Sequence, residues 1–161
     1  MSENITNEKT KIGVVSCSGE DCLGGTISRL ATRKMLELRP DETVTICLPL
    51  FLAGGEEERG FADEYPTISV DGCNKYCGKR ATEKYSGKVS ATINVGDIIG
   101  EEIAQSMALS CRDLTDVHRD MVNQVSDVIQ SKYDEIFNKT SPKKSKGGGG
   151  CCCGSDCDCG C

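Results

Sequence analysis

The amino-acid sequence predicts an α/β fold, a small Rossmann-like three-layer sandwich with a mostly parallel four-stranded sheet. Along residues 11–139, short apolar segments of strand length alternate with segments of helical periodicity. The strand-like segments are apolar almost throughout, which is typical of parallel strands covered on both faces. Right-handed crossovers between such strands would place helices on both sides of the sheet.

The predicted elements run from a first strand near the N-terminus to a long last helix. Strands are predicted at residues 12–16, 43–48, 67–72 and 88–95. Helices are predicted at residues 26–38, 75–85 and 115–137, with another from a cap at Asp97 to Met107 and at most a short helix within 49–66. Pro40 ends the first helix, and the last one carries the most regular apolar stripe.

Composition divides the chain into a solvated arm at 1–10, the α/β domain at 11–139, a flexible linker at 140–150 and a cysteine-rich tail at 151–161. The net charge of −6 counts against a nucleic-acid partner. No apolar stretch approaches the roughly 18–20 residues that span a bilayer. The polar N-terminal segment lacks the apolar core of a secretory signal. We therefore expect a cytoplasmic protein that binds neither nucleic acid nor a membrane.

Cysteine is the unusual residue, with 12 copies in 161 positions. In a reducing compartment such thiols are more often metal ligands or redox groups than disulfides. Cys17, Cys47 and Cys73 lie at or just after predicted strand ends, and Cys77 lies one helical turn beyond Cys73. Because the carboxyl ends of parallel strands share one edge of a sheet, these four thiols should converge there. Four thiolates suit tetrahedral Zn(II).

The residues around these cysteines refine the prediction. Cys22 is a candidate fifth ligand at the same edge, or alternatively a first-turn helix residue with a lowered pKa. Cys111, in a region predicted to be helical, is interpreted as structural, and His118 as a solvated or capping residue. Glycines would let the backbone approach the site closely, at positions 19, 24, 25 and 72.

Two common anion-binding loops do not fit the sequence. The segment CSGEDC begins like the loop of a small cysteine phosphatase, but Leu23 stands where that chemistry needs a phosphate-clamping arginine. The segment GEDCLGG is a poor match to the glycine-rich loops that bind nucleotides. Neither phosphatase chemistry nor nucleotide binding is therefore expected.

A family resemblance is carried by SCSG at 16–19, ATRKMLEL at 31–38, CLP at 47–49 and VDGCNKYCGKR at 70–80. In these segments the chain resembles the DGC-domain proteins, a family of small, mostly prokaryotic proteins regarded as zinc-binding because four cysteines recur as chelators. The resemblance covers roughly residues 11–95. It implies that Cys17, Cys47, Cys73 and Cys77 chelate zinc, and it implies no particular reaction.

The tail CCCGSDCDCGC places six thiols in eleven residues, namely Cys151, Cys152, Cys153, Cys157, Cys159 and Cys161. This density predicts a soft-metal binder for Zn(II), Cu(I) or an Fe–S centre. A flexible coil from Asn138 to Cys151 would span about 20 Å. The tail is therefore expected to reach the body site and to pass metal to it by ligand exchange.

The leading hypothesis is a cytosolic zinc-binding protein in metal storage, delivery or sensing, similar to a metallochaperone, with a metalloprotein recipient as its partner. An enzymatic alternative is a thiol or persulfide transferase, in which Cys17 or Cys22 is the nucleophile and Cys73 and Cys77 form the resolving pair. A further alternative is a zinc-stabilised protein-interaction module. A closed site of four thiolates would favour storage or structure, since catalytic zinc keeps an open position.

Overall fold

The computed structural model describes residues 11–17, 19 and 21–140. Its centre is a four-stranded, all-parallel sheet with the strand order β2-β1-β3-β4. The strands are β1 (Ile12–Ser16), β2 (Thr43–Val44), β3 (Thr67–Asp71) and β4 (Ala91–Asn94). The predicted arm at 1–10 and the cysteine-rich tail lie outside the described residues, as does the predicted linker except its first residue, Thr140.

Helices pack on both faces of this sheet. Within the described residues they are α1 (Leu23–Leu38), α2 (Leu48–Ala53), α3 (Glu56–Arg59), α4 (Phe61–Glu64), α5 (Cys77–Tyr85), α6 (Gly96–Ile99), α7 (Glu101–Ala104) and α8 (Asp116–Thr140). Val14 and Val15 of β1 point to opposite faces and belong to separate cores. The core around Val14 joins the sheet to α1 and α8, and the core around Val15 joins it to α2, α4 and α5. The predicted three-layer α/β fold is confirmed.

The strand order places a topological switch point between β1 and β3. From β1 the chain passes through α1 to β2 on one side, and it then returns to β3 on the other side of β1. Ligands of open α/β sheets bind in the crevice at such a point, outside the carboxyl ends of the strands. The two strands end almost level, since Ser16 pairs with Val70.

The predicted strand at 43–48 is wrong beyond Val44. Only two residues of β2 pair with β1, and the chain then enters α2 with Cys47 at its N-cap. Pro49 lies in the first turn of α2, where its fixed φ favours a helix and its missing N–H costs no hydrogen bond. The whole connection between β2 and β3 contains three short helices, α2, α3 and α4, where at most one was expected.

The helix predicted from Asp97 to Met107 is also wrong. Two short helices, α6 and α7, replace it, because Gly100 adopts a φ of 97° that ends the first of them. Asp97 lies inside α6 rather than at its cap. Cys111 lies exposed in the turn region between α7 and α8 rather than in a helix.

The last helix, α8, begins at Asp116 and extends to Thr140, one residue beyond the predicted end of the domain. The N–H of Thr115, which precedes the helix, donates a hydrogen bond to Nδ1 of His118 over 3.1 Å. The predicted capping role of His118 is thus confirmed. Across the described part of the chain, no helix combines the length and apolar character needed to cross a bilayer.

Candidate functional site

A cleft of about 270 Å³ opens at the carboxyl edge of the sheet, beside the ends of β1 and β3. We call it the thiol cleft, because four cysteines line it together with Gly19, Asp21 and Lys75. The four cysteines are Cys17, Cys22, Cys73 and Cys77. Three of them belong to the set predicted to converge at this edge, and Cys22 joins them.

Cys17 is the buried member of the thiol cleft, with 8% of its surface exposed. Its N–H continues the pairing of β1 with β3 by donating to the carbonyl of Val70 over 3.0 Å. Its Sγ accepts a hydrogen bond from the N–H of Gly72 over 3.2 Å and lies 3.3 Å from Oγ of Ser28. Burial raises the pKa of the Cys17 thiol, while the hydrogen bonds from Ser28 and Gly72 act to lower it.

Asp71, the last residue of β3, fixes the start of α5. Its buried carboxylate accepts the N–H of Gly78 over 2.5 Å and the N–H of Lys79 over 3.1 Å. These are free donors of the first helical turn, and a side-chain acceptor there stabilises the helix. Burial raises the pKa of Asp71 against the opposing effect of the two N–H groups. Because α5 begins at Cys77, the carboxylate of Asp71 also positions that cysteine.

The loop after β3 lies directly on the N-terminus of α1. A Cβ on Gly72 would stand 2.4 Å from N of Gly25, and a Cβ on Gly24 would stand 2.1 Å from the carbonyl oxygen of Gly72. Gly19 approaches Gly25 equally closely. At these four glycines the backbone segments approach one another closely, and their close approach to a bound metal stays a prediction.

This close approach makes Cys22 and Cys73 neighbours in the lining of the thiol cleft. Cys22 occupies the N-cap position of α1. Burial raises the pKa of Cys22, and the neighbouring Cys73 raises it further. Of the two alternatives for Cys22, a thiol at the sheet edge is confirmed, and a helix residue with a lowered pKa is wrong.

An ion pair stands at the exposed side of the thiol cleft. Nζ of Lys75 lies 3.3 Å from Oδ2 of Asp21. The hydrogen bond with Asp21 raises the pKa of Lys75, and the negative charge that Cys73 and Cys77 carry as thiolates adds to the effect. The cleft therefore holds a cation next to two thiols that become negative when they bind a metal.

Cys47 lies outside the thiol cleft, in an adjoining cleft of about 230 Å³ that Cys17, Arg29 and Pro49 also line. Because β2 ends at Val44, residues 45–47 connect it to α2. Cys47 is exposed, whereas Cys17 lines both clefts. Cys47 therefore lines a different cleft from Cys73 and Cys77, and its convergence with them on one metal ion stays a prediction.

The thiol cleft offers metal-binding chemistry but no finished coordination geometry. Among residues 11–17, 19 and 21–140, no three Cys, His, Asp or Glu side chains are grouped so as to hold a metal ion as they stand. The donors themselves, four cysteines with N–H and hydroxyl partners behind Cys17, are those that a thiophilic metal requires. The six tail cysteines lie outside the described residues.

Asp71 and Ser28 are the supporting residues that sequence reasoning missed. Asp71 is the one charged residue of the buried strand β3 and stands six residues before a helix, which is a detectable signal for a buried cap. Ser28 is fully buried on α1, next to Ile27, and only its place on the sheet-facing side of that helix distinguishes it in the sequence.

A family model described as "DGC domain" matches residues 13–128, a range that includes both clefts and their cysteines. The searches of curated proteins and of solved structures give no match.

Proposed function

The chain belongs to the DGC domain family, and from this membership and its thiol cleft we propose that it is a cytoplasmic zinc-binding protein in metal storage, delivery or sensing. The observation that carries the proposal is that four cysteines from two separate segments, residues 17–22 and 73–77, line one cleft at the switch point of the sheet. A reducing compartment would keep these thiols available to metal. Delivery would imply a metalloprotein recipient as the partner.

The proposed ligands are the four cysteines of the thiol cleft, with Cys22 in the place that the family resemblance gives to Cys47. Cys22 and Cys73 line the same cleft, and Sγ of Cys17 has hydrogen-bond partners of the kind that orient metal ligands. Cys77 is exposed at the first turn of α5, so its side chain has room to turn towards the ion. Zinc binding would draw the four thiolates together and neutralise part of their charge.

A closed shell of four thiolates suits storage, transfer or structural support, because catalytic zinc keeps a position open for water or substrate.

The proposal extends to the tail, whose six cysteines would collect metal and pass it to the thiol cleft. Deleting residues 147–161 should then slow zinc loading of the body and leave its final zinc content unchanged. Equal loading rates with and without the tail would contradict this relay.

Dithiol chemistry is the second candidate function, and the presence of Cys22 and Cys73 in the lining of one cleft favours it. The pKa values of Cys17 and Cys22 count against it, because burial raises both and a reactive nucleophile needs a lowered one. A zinc-stabilised interaction module would use the same metal site and would differ only in having a protein partner.

The decisive experiment measures zinc per chain by mass spectrometry after anaerobic purification. The full-length protein is compared with a full-length variant in which the six tail cysteines are serine, here called the tail-serine protein. We expect about one zinc to remain in the tail-serine protein, to be lost with Cys73→Ser and to be kept with Cys111→Ser. Cys111 is the matched control, because it is an exposed cysteine outside both clefts. A folded, metal-free tail-serine protein with rapidly alkylated thiols would contradict zinc binding and favour dithiol chemistry.

A further inference from the structure

Met107 lies directly opposite Cys22. An isolated antiparallel bridge pairs the two residues, and the N–H of Leu23 donates to the carbonyl of Ser106 over 2.9 Å. A hydrogen bond between these flanking residues identifies a non-hydrogen-bonded pair, in which the opposed Cα atoms are only about 4.5 Å apart. Side chains of such a pair leave the backbone on the same face. The thioether of Met107 and the thiol of Cys22 therefore stand side by side.

The side chain of Met107 has almost no packing partners. It is 81% exposed, the largest value among the exposed large hydrophobic side chains of the described residues. Its three side-chain torsions are therefore free to turn the thioether towards Cys22. Hydrophobic burial does not account for a methionine at this position.

Met107 thus flanks Cys22, and Cys22 shares the lining of the thiol cleft with Cys73. Thiolate and thioether ligands together select Cu(I), whereas zinc prefers thiolate, imidazole and carboxylate ligands. We infer that Cys22, Cys73 and Met107 form a binding site for Cu(I). Binding would release the two thiol protons and give a complex with one net negative charge, next to the cation of Lys75.

This inference goes beyond zinc binding and does not require it. Zinc and Cu(I) would share Cys22 and Cys73, so that one ion would exclude the other, but Met107 would serve copper alone. A substitution of Met107 therefore separates the two sites. Cu(I) binding without zinc binding would contradict the proposed function only, and the reverse result would contradict this inference only.

The first test is an anaerobic competition titration of the tail-serine protein against a coloured Cu(I) chelator, with ascorbate as reductant. We expect Met107→Leu to lower the Cu(I) affinity about tenfold and to leave the zinc affinity unchanged. Met121→Leu is the matched control, because Met121 packs against the core on α8, away from the cleft. Equal Cu(I) affinities for Met107→Leu and the parent protein would overturn the inference.

The second test detects the ligand directly. The tail-serine protein is labelled with selenomethionine, loaded with one equivalent of Cu(I) and measured by X-ray absorption at the copper edge. We expect a copper–selenium distance in the parent protein and none in labelled Met107→Leu, which keeps its three other methionines. A parent spectrum with sulfur neighbours only would overturn the inference, even if the substitution weakened binding.

Discussion

The backbone N–H of Gly72 donates a hydrogen bond to Sγ of Cys17 over 3.2 Å and so ties the loop after β3 to the end of β1. The residue before Gly72 caps α5 and sets the position of Cys77, and the residue after it lines the thiol cleft together with Cys22. Three consecutive residues, Asp71, Gly72 and Cys73, therefore organise the whole thiol cleft. Each does so by a different interaction, which makes their effects separable by substitution.

Replacing Gly72 by alanine should damage both stability and the thiol cleft. The new Cβ would stand 2.4 Å from N of Gly25 and 2.6 Å from C of Gly24, and these backbone atoms cannot rotate away. We expect a loss of about 1–3 kcal/mol in the free energy of unfolding, measured by urea denaturation. Gly60→Ala is the control, because its Cβ would meet its nearest atoms at 3.4 Å. Equal stability of the two variants would show that the contact is not tight.

Replacing Asp71 by asparagine should weaken zinc binding without removing a ligand. The carboxylate accepts the N–H groups of Gly78 and Lys79, and an amide keeps only one of its two acceptors. The first turn of α5 would loosen and Cys77 with it. We expect zinc affinity to fall about 10–100-fold, the range seen when partners of metal ligands are removed.

Chelator competition in the tail-serine protein measures this effect. Asp120→Asn on the exposed side of α8 is the control for the loss of one negative charge. An unchanged zinc affinity in Asp71→Asn would mean that Cys77 is not a ligand or that α5 holds it without the cap.

Much of this architecture follows from sequence patterns alone. The apolar segment Ile12–Ser16 is a strand with the predicted bounds, and the parallel sheet brings Cys17 and Cys73 to one edge as expected. The segment at 43–48 is equally β-branched, but only Thr43 and Val44 find a partner on β1. Strand propensity reflects such neighbours rather than the segment itself, so the sequence could not show that Cys47 stands at the N-cap of α2, in the cleft beside the thiol cleft.

The contacts of Cys22 are of a kind that no local pattern reveals. Its neighbour Cys73 is brought in by the close approach of Gly72 to the start of α1, fifty residues away in the chain. Its other neighbour, Met107, lies beyond two short helices that the sequence predicted as a single one. The glycines indicated that the backbone would approach the site closely, but only the fold shows which cysteines line the cleft together.

Removing the charge of Lys75 should weaken metal binding slightly and in a salt-dependent way. The ammonium group lies beside two thiols that become thiolates in the complex, and a nearby cation favours their ionised form. Because Lys75 is largely exposed, we expect Lys75→Gln to lower zinc affinity only about twofold at low salt, with no difference at high salt. Lys84→Gln, with its cation over Tyr85, is the control. A loss that persists at high salt would contradict this electrostatic role.

The choice between Cys22 and Cys47 as the fourth zinc ligand gives opposite predictions for two single substitutions. Cys22 lines the thiol cleft with Cys73, whereas Cys47 is exposed in the adjoining cleft at the N-cap of α2. Serine keeps the shape of either side chain but replaces a soft thiolate by a poor zinc ligand. In the tail-serine protein we therefore expect Cys22→Ser to lose zinc and Cys47→Ser to keep it.

Zinc per chain and chelator competition measure both variants side by side, with Cys111→Ser as the control for a lost surface thiol. The opposite result, zinc kept with Cys22→Ser and lost with Cys47→Ser, would overturn the ligand set proposed for the thiol cleft. It would mean that residues 45–47 move to bring Cys47 to an ion bound at Cys17, which lines both clefts. Cys22 would then be free of zinc and available to Cys73 and Met107 alone.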